Sequence, residues 1–420
     1  MPNIVSGIFS IPDLRKKILF TIGMVVLFRL GAHIPVAGID PTKLASLFGK
    51  GNLLGFLDLF TGGALMRFSI FAMGIVPYIN ASIIIQLLTV VIPQLEALSK
   101  EGEAGRKKIA QYTRFLTVAL ASVQATGMSF WFRGVLQPGY SFPLFLAGSI
   151  ITLTAGSVLV MWFGELITER GIGNGASLII FTGIVSRMPA YVGQTVTLVR
   201  GGASLIGVLI LVVVFLAMIA GIVIIQEGQR RVQVQYAKRI VGRKMYGGQS
   251  TYIPLRINQG GVIPIIFASS VLLFPATIGQ FIPVPFVQKI AAGVGPGGGF
   301  YIPMFFALIF FFTYFYTAIT FNPVELANNI KKYGGFVMGI RPGKPTADYF
   351  EYIITRLTLV GALFLACVAI MPSVVEKITH ITSFQGLGGT ALLIMVGVVL
   401  DLVRQIETHL VTRQYEGLLA

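Results

Sequence analysis

Side chains able to do covalent chemistry are few in this chain, and none stands beside a partner that would activate it. The one cysteine, Cys367, lies inside an apolar run, which excludes an internal disulfide and reads as a small buried hydrophobe. His33, His380 and His409 are scattered near the ends of apolar runs, so neither a metal cluster nor a Cys/His nucleophile can be assembled. Serines are plentiful in the apolar runs, but no neighbouring base accompanies them. The phosphate-cradling pattern Gly-x-x-x-x-Gly-Lys-Ser/Thr is absent, so energy for any work must come from elsewhere. Catalysis, metals and cofactors are not expected.

Binding chemistry remains, of two kinds. The first is cationic. Residues 228–258 carry Arg230, Arg231, Lys238, Arg239, Arg243, Lys244 and Arg256 with no acidic residue, and residues 322–351 carry Lys331, Lys332, Arg341 and Lys344. Arg239, Arg243 and Lys244 cluster as candidates for phosphate contacts, while Pro342 and Gly343 fix the direction of Arg341. Such surfaces suit RNA, an acidic protein or anionic lipid. An orientation signal would explain their charge but not their length, because connections usually run to about 4–6 residues. The alternation Val232-Gln233-Val234-Gln235-Tyr236 reads as a strand and Tyr246-Gly247-Gly248 as a turn, so a hairpin is expected. The second kind is amide chemistry inside lipid, where side-chain amides either form mutual clusters or are satisfied singly between helices.

The elements that must position these groups are greasy. Mean hydropathy is +0.82, and 11% of residues are charged, against about 25% in an ordinary soluble domain. Ten apolar segments, at 16–32, 68–92, 109–132, 142–167, 176–191, 204–226, 261–281, 303–321, 352–371 and 390–405, are each long enough to cross or nearly cross a bilayer core of about 30 Å. They do not alternate with period two, so helices are expected. Of 32 Lys and Arg, 23 fall on the side that carries both termini, 8 on the other, and Arg29 lies within the first span. The positive-inside rule places both termini and the basic loops in the cytoplasm. The first run ends in Arg29, Gly31 and His33 with no small-residue cleavage site, so it is expected to be retained.

The chain divides into residues 1–198 and 199–420, five spans each, joined by Arg200-Gly201-Gly202-Ala203. Five spans per half force opposite orientations, an inverted-repeat plan; the join is either a hinge or a tight loop. One stretch, about 53–67, is apolar yet too short and glycine-rich to span. It reads as a re-entrant element, with a short helix near 53–60, a bend at Gly62-Gly63 and a long helix from Phe68, or as an interfacial loop. Glu165, Glu227 and Asp401 lie near span ends, so the paired mid-span charges of a coupled transporter or ion channel are missing. Composition alone does not separate a pore from an assembly scaffold.

Four strings carry a resemblance: Gly74-Ile75-Val76-Pro77-Tyr78-Ile79-Asn80-Ala81-Ser82-Ile83-Ile84-Ile85-Gln86-Leu87-Leu88, Glu101-Gly102-Glu103-Ala104-Gly105-Arg106-Lys107-Lys108-Ile109, Thr168-Glu169-Arg170-Gly171-Ile172-Gly173-Asn174-Gly175 and Phe267-Ala268-Ser269-Ser270. With Phe274-Pro275-Ala276-Thr277 and the Gly-Ile-Arg-Pro-Gly turn at 339–343, the chain resembles the SecY/Sec61 family of protein translocation channels from its first span to Gln414-Tyr415-Glu416. The resemblance implies an all-α polytopic clamshell of ten helices with two pseudo-symmetric inverted halves and a hinge between the fifth and sixth spans. It also implies a plug built from Leu53, Phe56, Leu57, Leu59, Phe60, Gly62, Gly63 and Leu65. An apolar pore ring is implied at Ile75, Ile79, Ala176, Ile180, Ile266 and Ile394, with Ala176 smaller than the usual aliphatic. A lateral gate between the second and seventh spans would use Asn80, Gln86, Gln124 and Asn258. Arg239, Arg243, Lys244 and Arg341 would contact the ribosome or the motor ATPase SecA. Further implied partners are the small subunits SecE and SecG, signal peptides, nascent chains and anionic lipids, in a bacterial inner membrane. The ring has a physical reason: charges would bind some cargo and leak ions, whereas branched aliphatics dewet and close around a moving chain. Ile75 and Ile79 share a helix face, and Pro77 between them would remove a backbone hydrogen bond and permit a bend.

Overall fold

The structure, a computed structural model, describes residues 11–48, 58, 61–202, 204–236, 239–241, 244–246, 250–281, 286, 293, 298–379 and 388–419. Helix α1 spans Pro12–Gly31, α2 Pro41–Leu47, α3 Val76–Val91, α4 Pro93–Lys100, α5 Glu103–Trp131, α6 Phe142–Arg170, α7 Gly175–Arg200 and α8 Leu205–Glu227. Strands β1 (Gln229–Tyr236), β2 (Arg239–Val241), β3 (Lys244–Tyr246) and β4 (Ser250–Arg256) follow. After them come α9 (Ile263–Phe281), α10 (Tyr301–Thr320), α11 (Pro323–Lys332), β5 (Gly335–Val337), α12 (Lys344–Thr379) and α13 (Gly389–Leu419).

A helix lies in each of the ten apolar segments, so the chain is an all-α polytopic membrane protein. By length and composition alone, seven helices among the described residues can cross a membrane, or eight if α3 and α4 count as one bent span. α1 falls outside that count because Arg15, Lys16, Lys17 and Arg29 interrupt its apolar face, and α9 counts only over its first ten residues. The break between α3 and α4, bent by 101°, has a local cause. Ile92 precedes Pro93 and is pushed to φ −99 and ψ 112, out of the helical region. Proline opens α1, α3, α4, α6 and α11 within the first two positions, where its missing N–H has no intrahelical partner to lose.

Three sequence expectations are corrected. Cys367, read as a small buried hydrophobe, is exposed, because it lies on the outward face of α12 while its neighbours Ala366 and Val368 face the core. The long helix expected from Phe68 begins at Val76; residues 62–75 are turns whose side chains are mostly buried. Their backbone is satisfied from outside the segment, Val36 N–H donating to Phe68 O and Ile70 N–H to Ile34 O, which lets irregular chain persist inside protein. Pro77 consequently sits in the first turn of α3, so it starts the helix and removes no interior hydrogen bond.

The helices sort by packing. α1, α3, α5, α6 and α7 pack against one another, as do α8, α9, α10, α12 and α13. The groups meet chiefly where α7 runs along α13 and, over a shorter stretch, where α3 meets α9. The expected strand lies within β1, which pairs with β4 from Gln229↔Arg256 to Gln235↔Ser250; of the expected turn, Tyr246 ends β3, and Gly247 and Gly248 lie outside the described residues. No sequence signal indicated that β5, from the second basic loop, adds to the other edge of β1 through Val234↔Val337 and Tyr236↔Gly335. The two loops therefore share one sheet and one small core of Val232, Val234, Leu255, Ile330, Val337 and Phe350.

Candidate functional site

The six aliphatic positions come from four helices and meet in one apolar cluster. Ile75, Ile180 and Ile394 are buried at its centre, with Ile79, Ala176 and Ile266 partly buried against them. α7 contributes Ala176 and Ile180, four apart and hence on one face, and α3, α9 and α13 contribute Ile79, Ile266 and Ile394. Ile75, expected on the same helix face as Ile79, instead caps the start of α3 and accepts a hydrogen bond from Ile79 N–H at 3.1 Å. The cluster lies where the two helix groups meet.

The string Thr168–Gly175 explains how α7 is aimed at that point. Asn174 caps α7, its side-chain oxygen accepting from Ser177 N–H at 3.1 Å. Thr168 Oγ1 accepts from Gly175 N–H at 2.9 Å. Gly175 is obligatory: a Cβ there would stand 1.9 Å from the carbonyl oxygen of Gly164 on α6. The turn is tied to both helix groups, Ile172 N–H donating to Thr21 Oγ1 on α1 and Gly173 N–H to Gln405 Oε1 on α13.

Against α7, about one turn from Ile180, docks the irregular chain that precedes α3. Gly62 has φ +65, and a Cβ on it would stand 2.6 Å from Gly183 Cα, so backbone touches backbone. The expected bend at Gly62-Gly63 is present, and Leu65 is buried with Phe68 in a second apolar cluster. Leu53, Phe56, Leu57, Leu59 and Phe60 lie outside the described residues. Three polar residues here escaped the sequence reading. Asp58, fully buried, pairs with Arg187 of α7, and Arg29 Nη1 of α1 donates to Gly62 O at 2.9 Å. An acidic residue inside a glycine-rich apolar stretch was the signal available.

The four amides do not form the expected mutual cluster: among the described residues no hydrogen bond joins any two. Asn258 Nδ2 donates to Gly261 O at 2.9 Å, which closes the turn into α9. The side-chain oxygens of Asn80 and Asn258 are buried without hydrogen-bond partners. Gln86 is exposed and Gln124 half-buried. The reason is geometric: α3 and α9 touch over too short a stretch to bring amides from several turns together.

Charges near the helix ends are neutralised in place. Arg114 bonds Glu165 between α5 and α6 at 2.8 Å, and Arg404 of α13 bonds Glu227 at 2.7 Å. Among the basic candidates, Arg239 and Lys244 stand on β2 and β3, which pair as a hairpin, and Arg243 lies outside the described residues. Arg341 is exposed in the turn after β5, its carbonyl held by Thr346 Oγ1 at 2.8 Å. That turn belongs to the shared sheet, so both basic loops are carried on one support.

Comparison with known proteins agrees with this arrangement. The SecY family profile matches residues 69–403. Protein translocase subunit SecY of Mycobacterium bovis is 49% identical over 438 residues, covering 97% of each chain. A solved protein conducting channel superposes with a TM-score of 0.64 at 19% identity, over 94% of this chain and 92% of its own. Sec61 from a canine ribosome–channel complex of the endoplasmic reticulum superposes with a TM-score of 0.61 at 18% identity, over 94% of this chain and 92% of its own. On its profile match and its close relatives, the chain belongs to the SecY family.

Proposed function

We propose that this chain is the central pore-forming subunit of a protein translocation channel. It passes unfolded secretory polypeptides across the membrane and releases apolar segments sideways into lipid. As a channel it is not an enzyme. The observation that carries the reading is the convergence of Ile75, Ile79, Ala176, Ile180, Ile266 and Ile394 from four helices where the two helix groups meet. A waist of branched aliphatic side chains offers no fixed polar contact to cargo and excludes ions by dewetting.

In this reading the chain has ten spans in two halves, 1–198 and 199–420. The segment about 53–67 is the plug, with Gly62, Gly63 and Leu65 in its described part, and α3 and α9 flank the lateral gate. The short contact between those helices supports the gate, since a seam must part to let a segment through. The buried, unpartnered oxygens of Asn80 on α3 and of Asn258 in the turn before α9 are costly polar groups that cargo could satisfy; Gln86 and Gln124 join as the gate moves. Arg239, Arg243, Lys244 and Arg341 meet the ribosome or SecA, with the shared sheet as their support. SecE and SecG complete the complex, and anionic lipid faces the basic loops. The location is a bacterial inner membrane, with both termini cytoplasmic.

Single-channel recording of the reconstituted complex tests the pore and its seal. The intact chain should be silent and a variant lacking residues 56–64 should open frequently. Equal silence from a folded variant would remove the plug assignment and return weight to a non-conducting assembly scaffold.

A further inference from the structure

The geometry points to a catch, made by Asp58 with Arg187 and Arg29, that holds the 58–66 segment seated and sets how readily the pore opens. The inference rests on the reading of that segment as the plug. Arg187 and Arg29 are then positioning residues for gating, a role that neither composition nor motif indicated.

Asp58 is the starting point, a carboxylate with no exposed surface in a chain otherwise poor in buried charge. A buried carboxylate is tolerable only when its oxygens are occupied. Oδ1 accepts from Met66 N–H at 2.8 Å and from Thr61 Oγ1 at 3.3 Å, contacts that fold the segment onto itself. The pairing with Arg187 is the one that leaves the segment, reaching α7. The same guanidinium lies 3.9 Å from Met66 Sδ, so it covers both ends of the folded stretch.

Arg29 supplies a second tie through the Gly62 carbonyl, and the close approach of Gly62 to Gly183 supplies a third. All three run to α1 and α7, in the first helix group. Movement of the second group therefore does not by itself lift the segment; the Asp58–Arg187 pair must also separate. Such a pair is strong while dry and weak once water reaches it, because the attraction falls as the local dielectric rises. Unseating the segment hydrates both charges together, which suits a seal that must hold and yet release.

The pair also predicts a non-additive signature. Arg187→Met leaves Asp58 buried and unpaired only in the seated state, and should raise the open-to-closed ratio about a hundredfold or more. Asp58→Asn keeps an acceptor for Met66 N–H and leaves a half-buried arginine that can turn to water, so its effect should be smaller. The double variant should be quieter than Arg187→Met alone, because the stranded carboxylate is gone.

The experiment is single-channel recording of the reconstituted complex for these three variants beside the 56–64 deletion. A double variant that opens as often as the two single effects combined would overturn the catch. So would a silent Arg187→Met beside a leaking deletion variant, which leaves the plug reading standing. A silent deletion variant would overturn the plug reading itself. Should Arg187→Met not accumulate as a folded complex, Arg187→Gln removes the same charge and carries the same two expectations.

Discussion

The two seams between the helix groups are built differently, and the contrast locates the moving part. Along α7 and α13 the contact is long and dry. Ile179, Ile180 and Ile184 share one buried cluster with Ala391, Ile394 and Val398, and a hydrogen bond from Gly173 to Gln405 closes one end. Where α3 meets α9 the contact is short, and among the described residues no hydrogen bond or ion pair crosses it. Asn80 of α3 keeps an orphaned amide oxygen, as does Asn258 in the turn that leads into α9. In a bilayer, packing and interhelical hydrogen bonds hold helices together, because lipid is as apolar as leucine. On the proposed gate reading, the seam with less of both is expected to open and the long seam to serve as the pivot.

Cross-linking is the strongest way to break that comparison. In a Cys367→Ser background, needed because Cys367 is an exposed free thiol, Ile83→Cys with Ala268→Cys would tie α3 to α9. Ile184→Cys with Ala391→Cys would tie α7 to α13. Each pair lies within one packed cluster. A short bifunctional reagent should abolish transport of a secretory precursor into vesicles in the first case and leave it near the uncross-linked rate in the second. Equal loss from both ties would mean that the long seam also moves, and the pivot assignment would fail.

A smaller effect is expected at the proposed waist. Ile180 is 3% exposed, and Ile180→Asn places an unpaired amide in a dry constriction, at a cost of about 1–3 kcal/mol. Since each 1.4 kcal/mol is about tenfold, ion conductance of the resting channel should rise by one to two orders of magnitude. Ile266→Asn should raise it less, because Ile266 is partly exposed and its amide can reach water. Recording the two variants side by side checks the order; a reversal would place the narrowest point at α9 and not at α7.

Much of this was legible in the sequence, for reasons that also explain what was not. Hydropathy runs and loop charge are additive along the chain, so ten helical segments and a hairpin in 228–258 could be read off directly. Contacts between distant residues are not additive. The joining of β5 to β1 depends on where α10 and α12 deliver a three-residue strand. The late start of α3 depends on buried turns satisfied by residues 34 to 36. The waist positions were legible only through family likeness, since an isoleucine on an apolar helix looks the same facing lipid or a pore. Asp58 and Arg187, far apart along the chain, could not be paired without the fold.

The mildest test concerns the one polar tie that, among the described residues, crosses the long seam. Gln405 is exposed, so water competes for the bond that its Oε1 accepts from Gly173 N–H at 2.8 Å. Gln405→Leu should cost no more than about 0.5–1 kcal/mol of stability and leave precursor transport unchanged. Chemical denaturation in detergent, read beside the vesicle assay, measures both. Ala391, Ile394 and Val398 continue to pack against α7 in that variant, so the pivot keeps its substance. Loss of transport with stability intact would mean that the long seam is held in register by one hydrogen bond. The contrast between the seams would then be one of polar ties and not of packed length.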